Sequence, residues 1–164
     1  MKRVRRDRER WQPPNPLLAT AVFQCRQCHA VLTPPLALLT DAALLSQREG
    51  TSLAPPGHYW PVPAGQDFAD SFAVALADLV GVGYHPDTRR LLGCCGPSGA
   101  DGRNRVCACG YEVGTERSDC IWPQAVYLDP SQVRAVAPDA EQCVAGDRGP
   151  QSLESGSSRL GPGT

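Results

Sequence analysis

The sequence predicts a small β-rich α+β domain set between two tails, and three observations carry that expectation. Short apolar runs that alternate with period two outnumber helical patterns. Sixteen Gly and sixteen Pro punctuate the chain, against only three Phe, three Trp and four Tyr to anchor a core. Eight cysteines offer a way to staple a core so short of large side chains. At 164 residues the chain fits one domain with tails.

The head, residues 1–20, is basic through Lys2, Arg3, Arg5, Arg6, Arg8 and Arg10, but Asp7 and Glu9 interrupt the run and no aromatic interleaving accompanies it. It reads as a solvated tail. Lys2 is the single lysine of the chain, so its many arginines reflect composition rather than selection for guanidinium chemistry. The folded part is placed at 21–136. Beyond it, 137–164 is rich in Gly, Ser and Pro and too poor in apolar residues to fold.

Within the domain, Ala21-Val22-Phe23 begins a strand that runs into Cys25. Residues 36–45, entered after Pro34-Pro35 and carrying Leu36, Leu39, Leu44 and Leu45, form the best helix candidate. Tyr59-Trp60-Pro61-Val62 is a short aromatic strand. Phe72, Val74 and Leu76 alternate with Ala73 and Ala75 as a strand would, while Phe68, Phe72, Leu76, Leu79 and Val80 fit helical spacing, so both readings stand. Residues 111–116 alternate more clearly, and 125–128, ahead of Asp129-Pro130, close the sheet. Trp60 and Trp122 are expected as core anchors, and Glu112, Glu116 and Asp119 as a solvated strand face.

Compartment decides how the cysteines are read. Residues 17–23 form an apolar stretch too short for an export signal, lie behind Pro13, Pro14 and Pro16, and meet Gln24 without a small-residue cleavage site. No stretch approaches the ~20 apolar residues that span a bilayer. The expectation is a cytoplasmic protein, in which clustered thiols stay reduced and bind metal more often than they form disulfides.

Cys25-Arg26-Gln27-Cys28 is a C-x2-C knuckle, whose two thiolates on one tight turn can both reach a zinc ion at ~2.3 Å. Cys107-Ala108-Cys109-Gly110 is a second knuckle, in which Gly110 lets the backbone turn beneath the metal. Cys25, Cys28, Cys107 and Cys109 together make a tetrahedral donor set for Zn2+. The second knuckle is C-x-C, however, and 78 residues separate Cys28 from Cys107. Two other arrangements therefore stay open. Cys94 and Cys95 could join Cys107 and Cys109, leaving Cys25 and Cys28 to Cys120, His29 or each other. Alternatively, Cys94 or Cys95 joins Cys120 in a second site. Cys120, beside Ile121-Trp122, reads equally well as a small buried residue. His29, His58 and His85 read as turn or surface histidines, and Cys143 as a free thiol in the tail.

Tyr84-His85-Pro86-Asp87, Leu92-Gly93-Cys94-Cys95-Gly96, Asp101-Gly102-Arg103-Asn104, Cys107-Ala108-Cys109-Gly110-Tyr111-Glu112-Val113 and Ser118-Asp119-Cys120-Ile121-Trp122 together resemble a string found in small bacterial cysteine-rich proteins. The paired knuckles, each followed by candidate sheet, resemble those of zinc ribbons. The resemblance spans about residues 22–130. It implies a folded, zinc-ribbon-like domain and brings no activity with it.

Enzyme signatures are missing from the sequence: it holds no H-E-x-x-H, no G-x4-G-K-[ST], no G-x-S-x-G, no G-x-G-x-x-G after a strand and no H-x-E ahead of P-C-x-x-C. A zinc ion closed by four sulfurs keeps no position for water. Three function classes follow, ranked in this order. First comes an interaction module with a structural zinc ion and a protein partner. A nucleic-acid-binding regulator is second, using a ribbon-like face and the basic head, although residues 25–164 carry ten basic and fifteen acidic side chains; Arg89, Arg90, Arg103 and Arg105 bracket Cys94-Cys95 and would favour it if they shared one face with Arg117. Third is a thiol redox sensor at Cys94-Cys95 or Cys107-Ala108-Cys109.

Overall fold

Strand pairing begins where the apolar alternation begins. The computed structural model describes residues 17–139; most of the expected head, the whole tail after Asp139, and Cys143 lie outside the described residues. β1 (Thr20–Cys25) buries Ala21, Val22, Phe23 and Cys25. Eight further strands follow: β2 (Leu36–Leu38), β3 (His58–Pro61), β4 (Phe72–Val74), β5 (Val82–Tyr84), β6 (Arg105–Cys107), β7 (Glu112–Arg117), β8 (Ala125–Leu128) and β9 (Val133–Val136). They form one sheet in the order β5-β6-β7-β8-β4-β3-β2-β1-β9. Neighbours are antiparallel except β2 and β3.

The domain is thus mostly β. Helical structure among the described residues consists of three short 3-10 turns at Ala42–Leu44, Leu76–Asp78 and Thr88–Leu91. The helix expected over 36–45 does not form. Leu36–Leu38 instead pairs with β1 on one side and β3 on the other, and Leu36 is fully buried. Only Ala42–Leu44 turns, capped by Asp41, whose Oδ1 accepts the Ala43 N–H at 2.9 Å. A ten-residue helix is marginal alone, and Leu44, which the helical spacing would bury, is 60% exposed. The ambiguous segment resolves in favour of the strand: Phe72–Val74 is β4, buried throughout between β3 and β8, and the chain turns only at Leu76.

Phe23, Tyr59 and Phe72, from β1, β3 and β4, bring their rings to centroid distances of 5.3, 5.1 and 6.0 Å in the centre of the main core. Such ring pairs add about 0.5–1.5 kcal/mol each beyond the area they bury. The Tyr59 hydroxyl donates to the Leu18 carbonyl at 2.5 Å, and Leu17 and Leu18 pack on the same core.

One feature of this core positions the cysteines. β6 and β1 stand six places apart in the strand order. At about 4.8 Å per strand a flat sheet would hold them about 29 Å apart. Yet Phe23 and Cys25 of β1 share one cluster with Cys107 of β6 and Val113 of β7. The sheet is curled over that cluster, so that β1 faces β6 and β7 across it. The Val80 N–H, which donates to the Leu32 carbonyl at 2.8 Å, ties the two sides together beside the first knuckle.

Candidate metal centres

Each knuckle grows from the end of a strand. β1 ends at Cys25, and the chain reverses through a turn in which the His29 N–H donates to the Cys25 carbonyl at 3.0 Å and the Cys25 N–H to the Ala30 carbonyl at 2.9 Å. His29 takes a left-handed φ of 63° to complete the turn and faces solvent, as expected. Arg26, between the two thiols, fastens this turn to the entry of β9: its Nε donates to the carbonyls of Pro130 at 3.0 Å and Val133 at 2.9 Å. β6 ends at Cys107. There the Gly110 N–H donates to the Cys107 carbonyl at 2.8 Å, the Cys107 N–H to the Tyr111 carbonyl at 2.9 Å, and Gly110 sits at φ 85°.

The curl of the sheet brings the two turns together. The Sγ atoms of Cys25, Cys28, Cys107 and Cys109 all lie within 4.8 Å of one another. Cys25 to Cys109 is 3.9 Å and Cys28 to Cys107 is 3.5 Å. Four sulfurs at ~2.3 Å from one ion at tetrahedral angles stand about 3.8 Å apart, so the donor set fits a tetrahedral thiophilic ion. Each knuckle contributes one thiol from the core, Cys25 or Cys107, and one at the surface, Cys28 or Cys109. An ion held by all four would therefore lie at the mouth of the core.

The thiols also perturb one another. A hydrogen bond from the Ala30 backbone, aided by the thiols of Cys109 and Cys107, lowers Cys28 from 9.0 to about 7. Burial, with the neighbouring sulfurs of Cys28 and Cys109 adding to it, pushes Cys107 up to about 12. One thiolate among protonated neighbours is what a packed sulfur cluster favours, and a metal ion reverses that preference by deprotonating the rest.

Cys94, Cys95 and Cys120 do not join this group. They meet elsewhere, with Asp119, and the four ligand atoms again lie within 4.8 Å of one another. Of the open arrangements, the one that pairs Cys94 and Cys95 with Cys107 and Cys109 is not formed; Cys120 sits with Cys94 and Cys95 instead. Asp119 escaped the sequence reading, which placed it on a solvated face. It is 5% exposed, its Oδ2 accepts the Cys94 N–H at 2.9 Å, and its Oδ1 accepts from the Cys120 thiol at 3.4 Å.

Glu116 corrects the same expectation. It is 1% exposed: Arg105 donates to its Oε2 and Ser118 to its Oε1, while the Asn104 side chain accepts its backbone N–H at 2.6 Å and donates to its carbonyl at 2.9 Å. Alternation puts Glu116 on one strand face, but that face is covered by polar groups of β6 and the turn after β7. Trp122 is a second correction, since it is 42% exposed and lies against the Arg117 guanidinium, 4.7 Å from its ring centroid, instead of anchoring the core. Trp60 packs half-buried beside a second, smaller cluster of Leu53, Val62, Ala73, Ala125 and Tyr127.

The arginines noted near Cys94-Cys95 are paired with carboxylates. Arg89 bonds Asp87, Arg90 and Arg103 share Glu112, Arg103 also reaches Asp129, and Arg105 holds Glu116. Among the described residues no helix is long and apolar enough to cross a membrane. No family model, curated protein or solved structure matches the chain.

Proposed function

We propose that the chain is a metal-stapled β domain, in which Cys25, Cys28, Cys107 and Cys109 hold one structural Zn2+ and the domain serves as an interaction module for a protein partner. One observation carries the metal assignment: four sulfurs from two turns far apart in sequence converge at the spacing of a tetrahedral tetrathiolate. A single ion in an S4 donor set suits zinc, and a set closed by four sulfurs leaves it no position for substrate. The ion thus serves the fold, and the loops around it are what a partner can read. The zinc-ribbon likeness is local: a thiol pair at a strand end on each side of one ion.

A protein partner is favoured over nucleic acid because Arg89, Arg90, Arg103, Arg105 and Arg117 each face a carboxylate at salt-bridge distance. Phosphate binding would have to displace those pairs.

Elemental analysis of protein purified without chelator tests the assignment. At least one equivalent of zinc is expected, and Cys28→Ser and Cys107→Ser should each lose one equivalent together with thermal stability. Less than about half an equivalent, or iron in place of zinc, would overturn it.

A further inference from the structure

The second thiol group sits at the far end of β7 from the first. Cys109 precedes that strand and Asp119 follows it, and a six-residue strand spans about 20 Å. The two groups therefore cannot share one ion or form a binuclear cluster.

The local backbone is built to bring Cys94 and Cys95 against Asp119 and Cys120. The Ser118 and Asp119 N–H groups both donate to the Pro97 carbonyl, at 2.9 and 3.2 Å, and the Ser98 N–H closes the loop on Leu92 at 2.9 Å. The glycines flanking the two cysteines permit this approach. A Cβ on Gly96 would stand 2.6 Å from Ser118 Oγ, and one on Gly93 would stand 1.9 Å from the Gly96 carbonyl oxygen and 3.0 Å from Asp119 Oδ2. Three thiols and a carboxylate thus meet from two segments 25 residues apart, at a surface where Cys94 and Cys95 are open to solvent.

We propose that Cys94, Cys95, Cys120 and Asp119 form a second divalent-metal site, an S3O site for Zn2+ that clamps the Gly93–Gly96 turn to the end of β7 and exchanges its ion readily. Loading is a ligand exchange without electron transfer: the three S–H groups release their protons to solvent, and Asp119, already a carboxylate, supplies oxygen as the fourth donor. The donor set differs from that of the first centre in ways that favour exchange. A carboxylate oxygen is a weaker partner for zinc than a thiolate and yields to an incoming ligand, and here no ligand cysteine lies in the core. The site is independent of the first in its residues and in its test.

The experiment uses the full chain, reduced, loaded with excess Zn2+ and freed of unbound metal. Zinc is then withdrawn by a chromogenic chelator while total content is measured. Two equivalents are expected, one released much faster than the other. Cys95→Ser and Cys120→Ser should abolish the fast equivalent and keep the slow one. Asp119→Asn, which preserves the shape of the side chain, should weaken the fast site by at least about tenfold. Gly96→Ala, which removes no ligand, should weaken it too. Loss of the slow equivalent on Cys28→Ser reports on the first centre alone, so failure of either site is read separately. The proposal is overturned if wild-type protein binds one equivalent that Cys95→Ser and Cys120→Ser retain. It is equally overturned if Cys94, Cys95 and Cys120 alkylate as fast with zinc as without.

Discussion

Glu116 brings a carboxylate into a strand position with 1% exposure, and its partners decide whether that is tolerable. Arg105, Ser118 and the Asn104 amide supply its hydrogen bonds, and the Arg105 guanidinium lies 3.9 Å from the centroid of the Tyr84 ring. Removing one partner of a buried pair strands the other, at about 3–5 kcal/mol, whereas replacing both by apolar residues costs much less. Glu116→Gln should therefore lower the denaturant midpoint sharply, and combining it with Arg105→Met should recover part of the loss. A double variant no better than the single one would remove the coupling. None of this was legible in the sequence. Period-two alternation says which face a side chain takes, and cannot say whether that face meets water or the polar groups of another strand. The ligand-like place of Asp119 was hidden for a similar reason, since it depends on how closely two glycines let a distant turn approach. The two cysteine pairs were legible as pairs because each sits on one tight turn at the end of a strand.

At the scale of elements, β7 starts with Glu112, which gathers Arg90 at 2.7 Å, Arg103 at 2.9 Å and His85 at 3.2 Å. These contacts join the 3-10 turn at Thr88–Leu91 and the entry to β6 onto the β6–β7 hairpin that carries the second knuckle. Burial raises the Glu112 carboxyl, but Arg103 and Arg90 outweigh it and hold the group below its ordinary 4.5. A depressed carboxylate contributes its full stabilisation above the unfolded value, and loses it as pH falls through the folded one. Urea midpoints of wild type and Glu112→Gln should therefore differ near neutrality and converge as pH falls below 4.5 and through the folded-state value. A gap that stays constant down to acid pH would contradict the pairing. Effects of acid on the cysteine clusters act on both proteins and drop out of the difference. The strand at 111–116 was legible from alternation, and those at 59–62 and 125–128 from short apolar or aromatic runs bounded by Pro, Gly and Asp. The helix expected at 36–45 was misread because leucine spacing cannot register that β1 and β3 both offer hydrogen bonds to the same backbone.

For the whole molecule, the central claim is that a metal ion closes a curled sheet. Fastening Cys28 to Cys107 removes the freedom of a loop of about 80 residues from the unfolded chain, worth about 4–5 kcal/mol on the loop-entropy argument used for disulfides. For a domain of ordinary stability, about 5–15 kcal/mol, that is a large share. Among the described residues the two sides meet through the knuckles, the apolar cluster they share and the Val80 N–H bond to Leu32. Sequence spacing could propose the four thiols but could not choose among seven candidates, because the choice depends on the curl that brings strands six places apart into one core.

Hydrogen exchange of the intact chain, with and without removal of its metal by a strong chelator, tests that claim most directly. Loss of metal should strip protection from the amides of Cys25, Ala30, Cys107 and Gly110 and from β1 and β6, while β4 and β8, paired on both sides at the centre of the sheet, open last. Identical protection and an identical melting temperature in the metal-free chain would show that the sheet holds its curl unaided, and that the four thiols merely lie close together.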